Sequence, residues 1–149
     1  SSDVCSSDLT RCKKQRKKIN KSFFSCVIIN YGVDKMNIFI GCSSKEEISK
    51  EYLEHTQNIL TKIAPYNNLV FGVYHLGIMG QAYNEFKKQK RKVIGITNDT
   101  YQEEYKIIPC DEEYVVSSTL DRTKYIIEKS DIFLFLPGGL GTYAELFHI

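Results

Sequence analysis

No apolar run in the sequence approaches the about 20 residues that a membrane-spanning helix needs, so no such helix is expected and the composition is that of a soluble globular protein. None of the five cysteines stands in a Cys-x-x-Cys pair, and they are too scattered for a zinc site. Reduced thiols in a cytoplasm are the simple reading, and no metal is expected. Internal repeats are absent, as is low complexity beyond the N-terminal run, so a solenoid or array is excluded. A strong charge of one sign is also lacking. The net charge is +2, but residues 1–35 hold eight Lys/Arg against three Asp, and residues 36–149 are net negative. The basic excess sits wholly in the first segment, so no nucleic-acid partner is inferred from it. The 149 residues suffice for one domain with a real core.

Residues 1–35 look foreign to the rest of the chain. Ser1 to Leu9 is small and polar, and Arg11 to Lys21 is a charge run without an apolar face. Such a run reads as a solvated or nucleic-acid-binding tail, and no signal-peptide cleavage pattern comes after Phe23–Ile29. The segment is expected to be a non-native or disordered extension, with Met36 as the native start. Gly32-Val33-Asp34-Lys35 can be encoded with a GGAG run just upstream of an ATG, which resembles a bacterial ribosome-binding site read through as protein. At the other end the chain stops about one turn into a helix, and a C-terminal truncation is expected.

From Met36 the pattern becomes regular. Strands are predicted at Ile38–Ile40, Asn68–Phe71, Val93–Ile96, Glu113–Val116 and Ile132–Leu136. A first helix is predicted to start at a capping box, Ser44-Lys45-Glu46-Glu47, and to run to about Ile63, with Ile48, Tyr52, Ile59 and Ile63 inward and Pro65 ending it. A second covers about Gln81 to Lys90, with Ala82, Tyr83 and Phe86 inward. A third covers Thr119–Lys129, capped by Ser118 with Asp121 in the box position. Asn98 to Asp111 reads as a polar surface loop. Strands alternating with helices, each strand apolar throughout, predict an α/β fold with a parallel sheet covered on both faces. Ligands of such sheets bind beyond the carboxyl ends of the strands, where Ser43, Gly72, Gly77, Arg122 and the Pro137–Thr142 loop fall.

The chemistry concentrates in Pro137-Gly138-Gly139-Leu140-Gly141-Thr142-Tyr143-Ala144-Glu145, a glycine loop opening a helix. A helix start offers unpaired N–H groups and the positive end of the dipole, which favour an anion such as phosphate. It is not a P-loop, since no Lys follows the last glycine. Gly139-x-Gly141-x-x-Ala144 meets the loose dinucleotide fingerprint, but after the fifth strand instead of the first. Glu145 has two readings. It completes a Thr142-x-x-Glu145 capping box, or it faces a ligand as a catalytic carboxylate. Arg122 is either a solvated helix residue or a bidentate ligand for an anion or base edge. His55 and His75 read as bystanders.

The final motif matches PGGxGTxxE of the LONELY GUY (LOG) family in full, a family often labelled lysine decarboxylase. Arg122 stands at the arginine of that family's M-x-x-R-K motif. Ser43-Ser44 resembles its serine pair after strand one, and Gly72 with Gly77-Ile78-Met79-Gly80 resembles its G-G-G-x-x-G-L-M-G segment. The likeness spans about Asn37 to Leu146. Val73 and Tyr74 replace two family glycines, and Thr119 and Thr123 replace the methionine and lysine. The resemblance implies a Rossmann-like three-layer α/β/α sandwich over residues 36–149. It also implies a cytoplasmic homodimer that hydrolyses the base–ribose bond of a nucleoside 5′-monophosphate, such as AMP or an N6-modified AMP, as cytokinin riboside 5′-monophosphate phosphoribohydrolases do. Glu145 and Arg122 would be catalytic. Gly138, Gly139, Gly141, Thr142, Ser43, Gly77 and Met79 would bind substrate and phosphate, with no cofactor. The alternative is a related nucleotide or cofactor carrier that binds without cleaving.

Overall fold

The structure, a computed structural model, describes residues 35–99 and 108–149, which belong to one compact unit. In chain order these residues form β1 (Asn37–Gly41), α1 (Lys50–Ile63), a 3-10 turn (Ala64–Tyr66), β2 (Asn68–Phe71), α2 (Gly77–Lys88), β3 (Val93–Asn98), β4 (Glu112–Val116), α3 (Thr119–Lys129), β5 (Ile132–Phe135) and α4 (Leu140–His148). The strands pair in parallel in the order β4-β3-β2-β1-β5. The chain steps outward from β1 to β4, then returns across the sheet to place β5 on the free side of β1. The strand order therefore reverses between β1 and β5, and it is beyond the carboxyl ends at such a point that a crevice forms.

Successive side chains of a strand point to opposite faces, and the core divides accordingly. Ile38, Ile40, Leu69, Phe71 and Val93 join Leu60 of α1 and Ile78, Ala82 and Phe86 of α2 on one face. Phe39, Val70, Ile94 and Ile96 join Ile126 of α3 on the other. Each such side chain fully buried contributes about 1.5–3 kcal/mol. The result is the expected Rossmann-like α/β/α arrangement. The two edge strands depart from the expectation of apolar runs throughout. Alternate residues of β4 are exposed, as is Phe133 of β5, which marks a less covered face at each edge of the sheet.

Local signals account for most helix bounds. The Ser118 hydroxyl accepts the Asp121 N–H at 3.1 Å, as its cap pattern predicts, and α3 has the predicted bounds. Pro65 lies in the 3-10 turn directly after α1. Two readings need correction. Ser44 caps nothing: α1 starts at Lys50, with Ser49 at its N-cap. Its inward face is Leu53, Thr56, Leu60 and Ile63, whereas Tyr52 and Ile59 are exposed. The second helix begins at Gly77, four residues before Gln81. Of the predicted Asn98–Asp111 loop, Asn98 instead ends β3, and 100–107 lie outside the described residues. Residues 1–34, including most of the expected extension, also lie outside them.

Val73, just past β2, carries φ of +59°, a left-handed conformation that a β-branched side chain rarely adopts. Burial offsets the strain. The valine is 3% exposed, and its Cγ2 lies 2.5 Å from where a Cβ on Gly95 would stand. The glycine of β3 is thus the socket for the valine. Gly95→Ala is expected to destabilise the fold by about 1–3 kcal/mol through overpacking. Val73→Gly in the same chain should recover much of that loss, read as a non-additive shift in urea midpoints. Strict additivity of the two changes would show that the pair does not interlock.

Candidate functional site

The loops at the carboxyl ends of β1, β2 and β5 close around a cavity of about 560 Å³. Its walls are Cys42 to Lys45 after β1, Gly72 to Tyr74 after β2, Met79 of α2 and Thr97 of β3. Thr119, Arg122 and Thr123 of α3 and the start of α4 complete them. The loop after β1 is fixed on both sides. The Ser43 N–H donates to the Pro137 carbonyl at 3.0 Å, and its carbonyl accepts from the Met79 N–H at 3.1 Å. Its hydroxyl accepts the Lys45 N–H at 3.2 Å and keeps its own proton to donate.

The glycine loop starts α4 earlier than a capping box at Thr142 would allow. The N-cap is Gly139, so Thr142 sits inside the first turn. The Tyr143 N–H reaches the Gly139 carbonyl at 3.2 Å, and the amides of 140–142 have no partner within the helix. A Cβ on Gly139 or Gly141 would meet nothing within 4 Å, so the backbone there stands open to a ligand. Gly138 does a different job, because a Cβ there would collide with the Thr142 side chain.

Glu145 is therefore not a cap. Its Oε1 accepts from Nη1 of Arg122 at 2.5 Å, with the two side chains 18% and 13% exposed. Arg122 also donates from Nε to the Ile96 carbonyl at 3.1 Å, which ties α3 to the end of β3. Nη2 lies where Gly72 leaves room, 2.8 Å from the position a Cβ would take. Among the described residues, neither Nη2 nor the second Glu145 oxygen has a hydrogen-bond partner. Arg122 is thus no solvated surface residue, and its Nη2 and the second Glu145 oxygen remain for a ligand.

Of the residues singled out from the sequence, Glu145, Arg122, Gly139, Gly141, Thr142, Ser43 and Met79 line the cavity, whereas Gly77 and Gly138 do not. Gly77 supports the site from behind. It has φ of +61°, and a Cβ on it would strike the Lys45 carbonyl. His55 is exposed on α1, and His75 packs against the Tyr74 ring at 5.3 Å. Lys45, Cys42, Thr97 and His148 line the cavity without having been singled out. The signal for His148 was its i+3 spacing from Glu145, which puts both on one helix face. Of the departures from the family pattern, Val73 turns largely into the core, and the Thr123 hydroxyl bonds back to the Thr119 carbonyl at 3.1 Å. Burial, with a smaller push from Glu145, lifts the Cys42 thiol far above its ordinary range. That keeps it protonated and unfit as a nucleophile at neutral pH. Among the described residues no group of His, Cys, Asp and Glu is placed to hold a metal ion, and no helix is long and apolar enough to cross a membrane.

Comparison with known proteins bears on this site. Residues 79–149 match the model of a family described as "Possible lysine decarboxylase". No curated protein matches the sequence. Among solved structures, the chain is similar to the molybdenum cofactor carrier protein of Chlamydomonas reinhardtii. That likeness has 20% identity and a TM-score of 0.60, covering 77% of this chain and 70% of that one. It is similar as well to the molybdenum cofactor binding protein of the phototrophic bacterium Rippkaea orientalis. There the identity is 21% and the TM-score 0.61, over 77% of this chain and 70% of that one. At such identities the likeness is one of fold. Residues 79–149, with the complete PGGxGTxxE motif within them, are thus similar to the family described as possible lysine decarboxylase.

Proposed function

We propose that the protein is a nucleoside 5′-monophosphate phosphoribohydrolase, which adds water across the base–ribose bond to give free base and ribose 5-phosphate. The observation that carries this reading is the position of Glu145. Its carboxylate is turned from its own helix start to Arg122, inside the cavity, one turn from the open amides of α4. The phosphate would take the amides of 140–142 and the Thr142 and Ser43 hydroxyls. The sugar would then lie toward Glu145. As the glycosidic bond breaks, positive charge grows on the ribose, and the free carboxylate oxygen stabilises it and orients the attacking water. Arg122 hydrogen-bonds the substrate through Nη2. It does not donate a proton, because a guanidinium holds its protons too tightly. The departing base takes its proton from the water that delivers hydroxide to the sugar.

A second reading, a nucleotide or cofactor carrier, is favoured by Tyr74, which puts bulk beside the cavity where the family has a glycine. The molybdenum cofactor proteins that share the fold are of that kind by name. AMP and isopentenyl-AMP offered to the protein, with free base scored by chromatography, separate the two. Hydrolysis by the wild type should fall on the order of a hundredfold in Glu145→Gln, with AMP binding kept. Tight AMP binding without base release in the wild type makes the protein a carrier, and neither binding nor release removes both readings.

We also propose that the partner is a second copy of the chain. Leu140 is 89% and Phe147 82% exposed, and α4 has no buried residue. Light scattering should give a dimer mass, and Phe147→Glu should give a monomer. A monomeric wild type at micromolar concentration contradicts the proposal.

A further inference from the structure

Four cavity-lining side chains carry or can carry a charge at neutral pH: Lys45, Arg122, Glu145 and His148. Arg122 and Glu145 neutralise each other at 2.5 Å. With histidine counted neutral, the cavity's net positive charge is that of Lys45. Among the described residues Lys45 makes no ion pair, unlike Lys87, Lys88, Lys92 and Lys124. Its backbone is held firmly. Its N–H rests on the Ser43 hydroxyl, its carbonyl lies against Gly77, and Ser43 is itself bonded to both the Pro137 loop and α2. The ammonium thus swings on a flexible stem from a fixed point on the cavity wall.

Arg122 is poorly disposed to meet a phosphate. Two of its nitrogens are committed, and a dianion drawn against it would approach the Glu145 carboxylate. We infer that Lys45 supplies the mobile cation that meets the ligand's phosphate, facing the fixed amides at the start of α4, and so selects phosphorylated over unphosphorylated ligands. This rests on the nucleotide reading above. Lysine suits the task as a compact point charge with three donors. Because Lys45 is exposed, its contribution is weakened by salt.

The test uses the full chain with Lys45→Met, which keeps the stem and removes the charge, and Lys45→Arg, which keeps the charge. Melting temperatures check that both fold. AMP affinity is measured by calorimetry across salt concentrations, and base release from AMP by chromatography. Lys45→Met should raise Kd and KM for AMP about tenfold with kcat little changed. It should also flatten the dependence of log Kd on log salt, whereas Lys45→Arg should restore most of the affinity. An unchanged Kd and salt slope in Lys45→Met overturns the inference even if the wild type hydrolyses AMP. Binding without base release in the wild type sinks the hydrolase alone, and Lys45 is then judged by the same tenfold loss of affinity. No AMP binding by the wild type overturns both.

Discussion

The ion pair between Arg122 and Glu145 is the constraint on which the site depends. It joins α3, which returns the chain across the sheet, to α4, which comes after β5, and through the Ile96 carbonyl it reaches β3 as well. A pair this far from water contributes little net stability, because desolvation offsets most of the attraction. What it confers is placement. The carboxylate would otherwise be drawn to the amides of its own first turn, and the guanidinium to solvent. Gly72 makes the arrangement possible by leaving the end of β2 bare where Nη2 lies. The pair also bears on the cavity's charge balance, for it cancels internally and leaves Lys45 as the uncompensated charge of the lining with histidine counted neutral.

The sheet was legible because apolar runs bounded by Gly, Pro and Asn have few other uses in a chain of alternating elements. Asn68–Phe71 and Thr119–Lys129 form as the sequence predicts, residue for residue. The three Ser/Thr-x-x-acid patterns read as helix caps have different fates. At Ser118 no tertiary contact competes, and the cap forms. At Ser44 the neighbouring Ser43 is bonded to the Pro137 loop and to α2, so the chain cannot turn helical until Ser49. At Thr142 the glycine loop begins the helix three residues early and frees Glu145 for Arg122. Both failures lie at strand ends that line the cavity, where partners distant in sequence outcompete local ones.

The partners of Arg122 were illegible for the same reason. Nothing in one helix announces a carbonyl on β3 or a carboxylate on a helix beyond β5. The bulk at Val73 was visible in the sequence, but its consequence was not. The left-handed backbone that a glycine would favour is kept, and the side chain is accommodated by a socket at Gly95 in the neighbouring strand. Much of that substitution is therefore absorbed by the core, and Tyr74 is the departure left standing at the cavity wall.

A crystal structure with ribose 5-phosphate bound tests the central claim most directly. The expected result is a phosphate within about 3 Å of the amide nitrogens at the start of α4, with the sugar's anomeric carbon turned toward Glu145 and Arg122 still joined to it. A phosphate seated elsewhere, or a sugar facing away from Glu145, would contradict it.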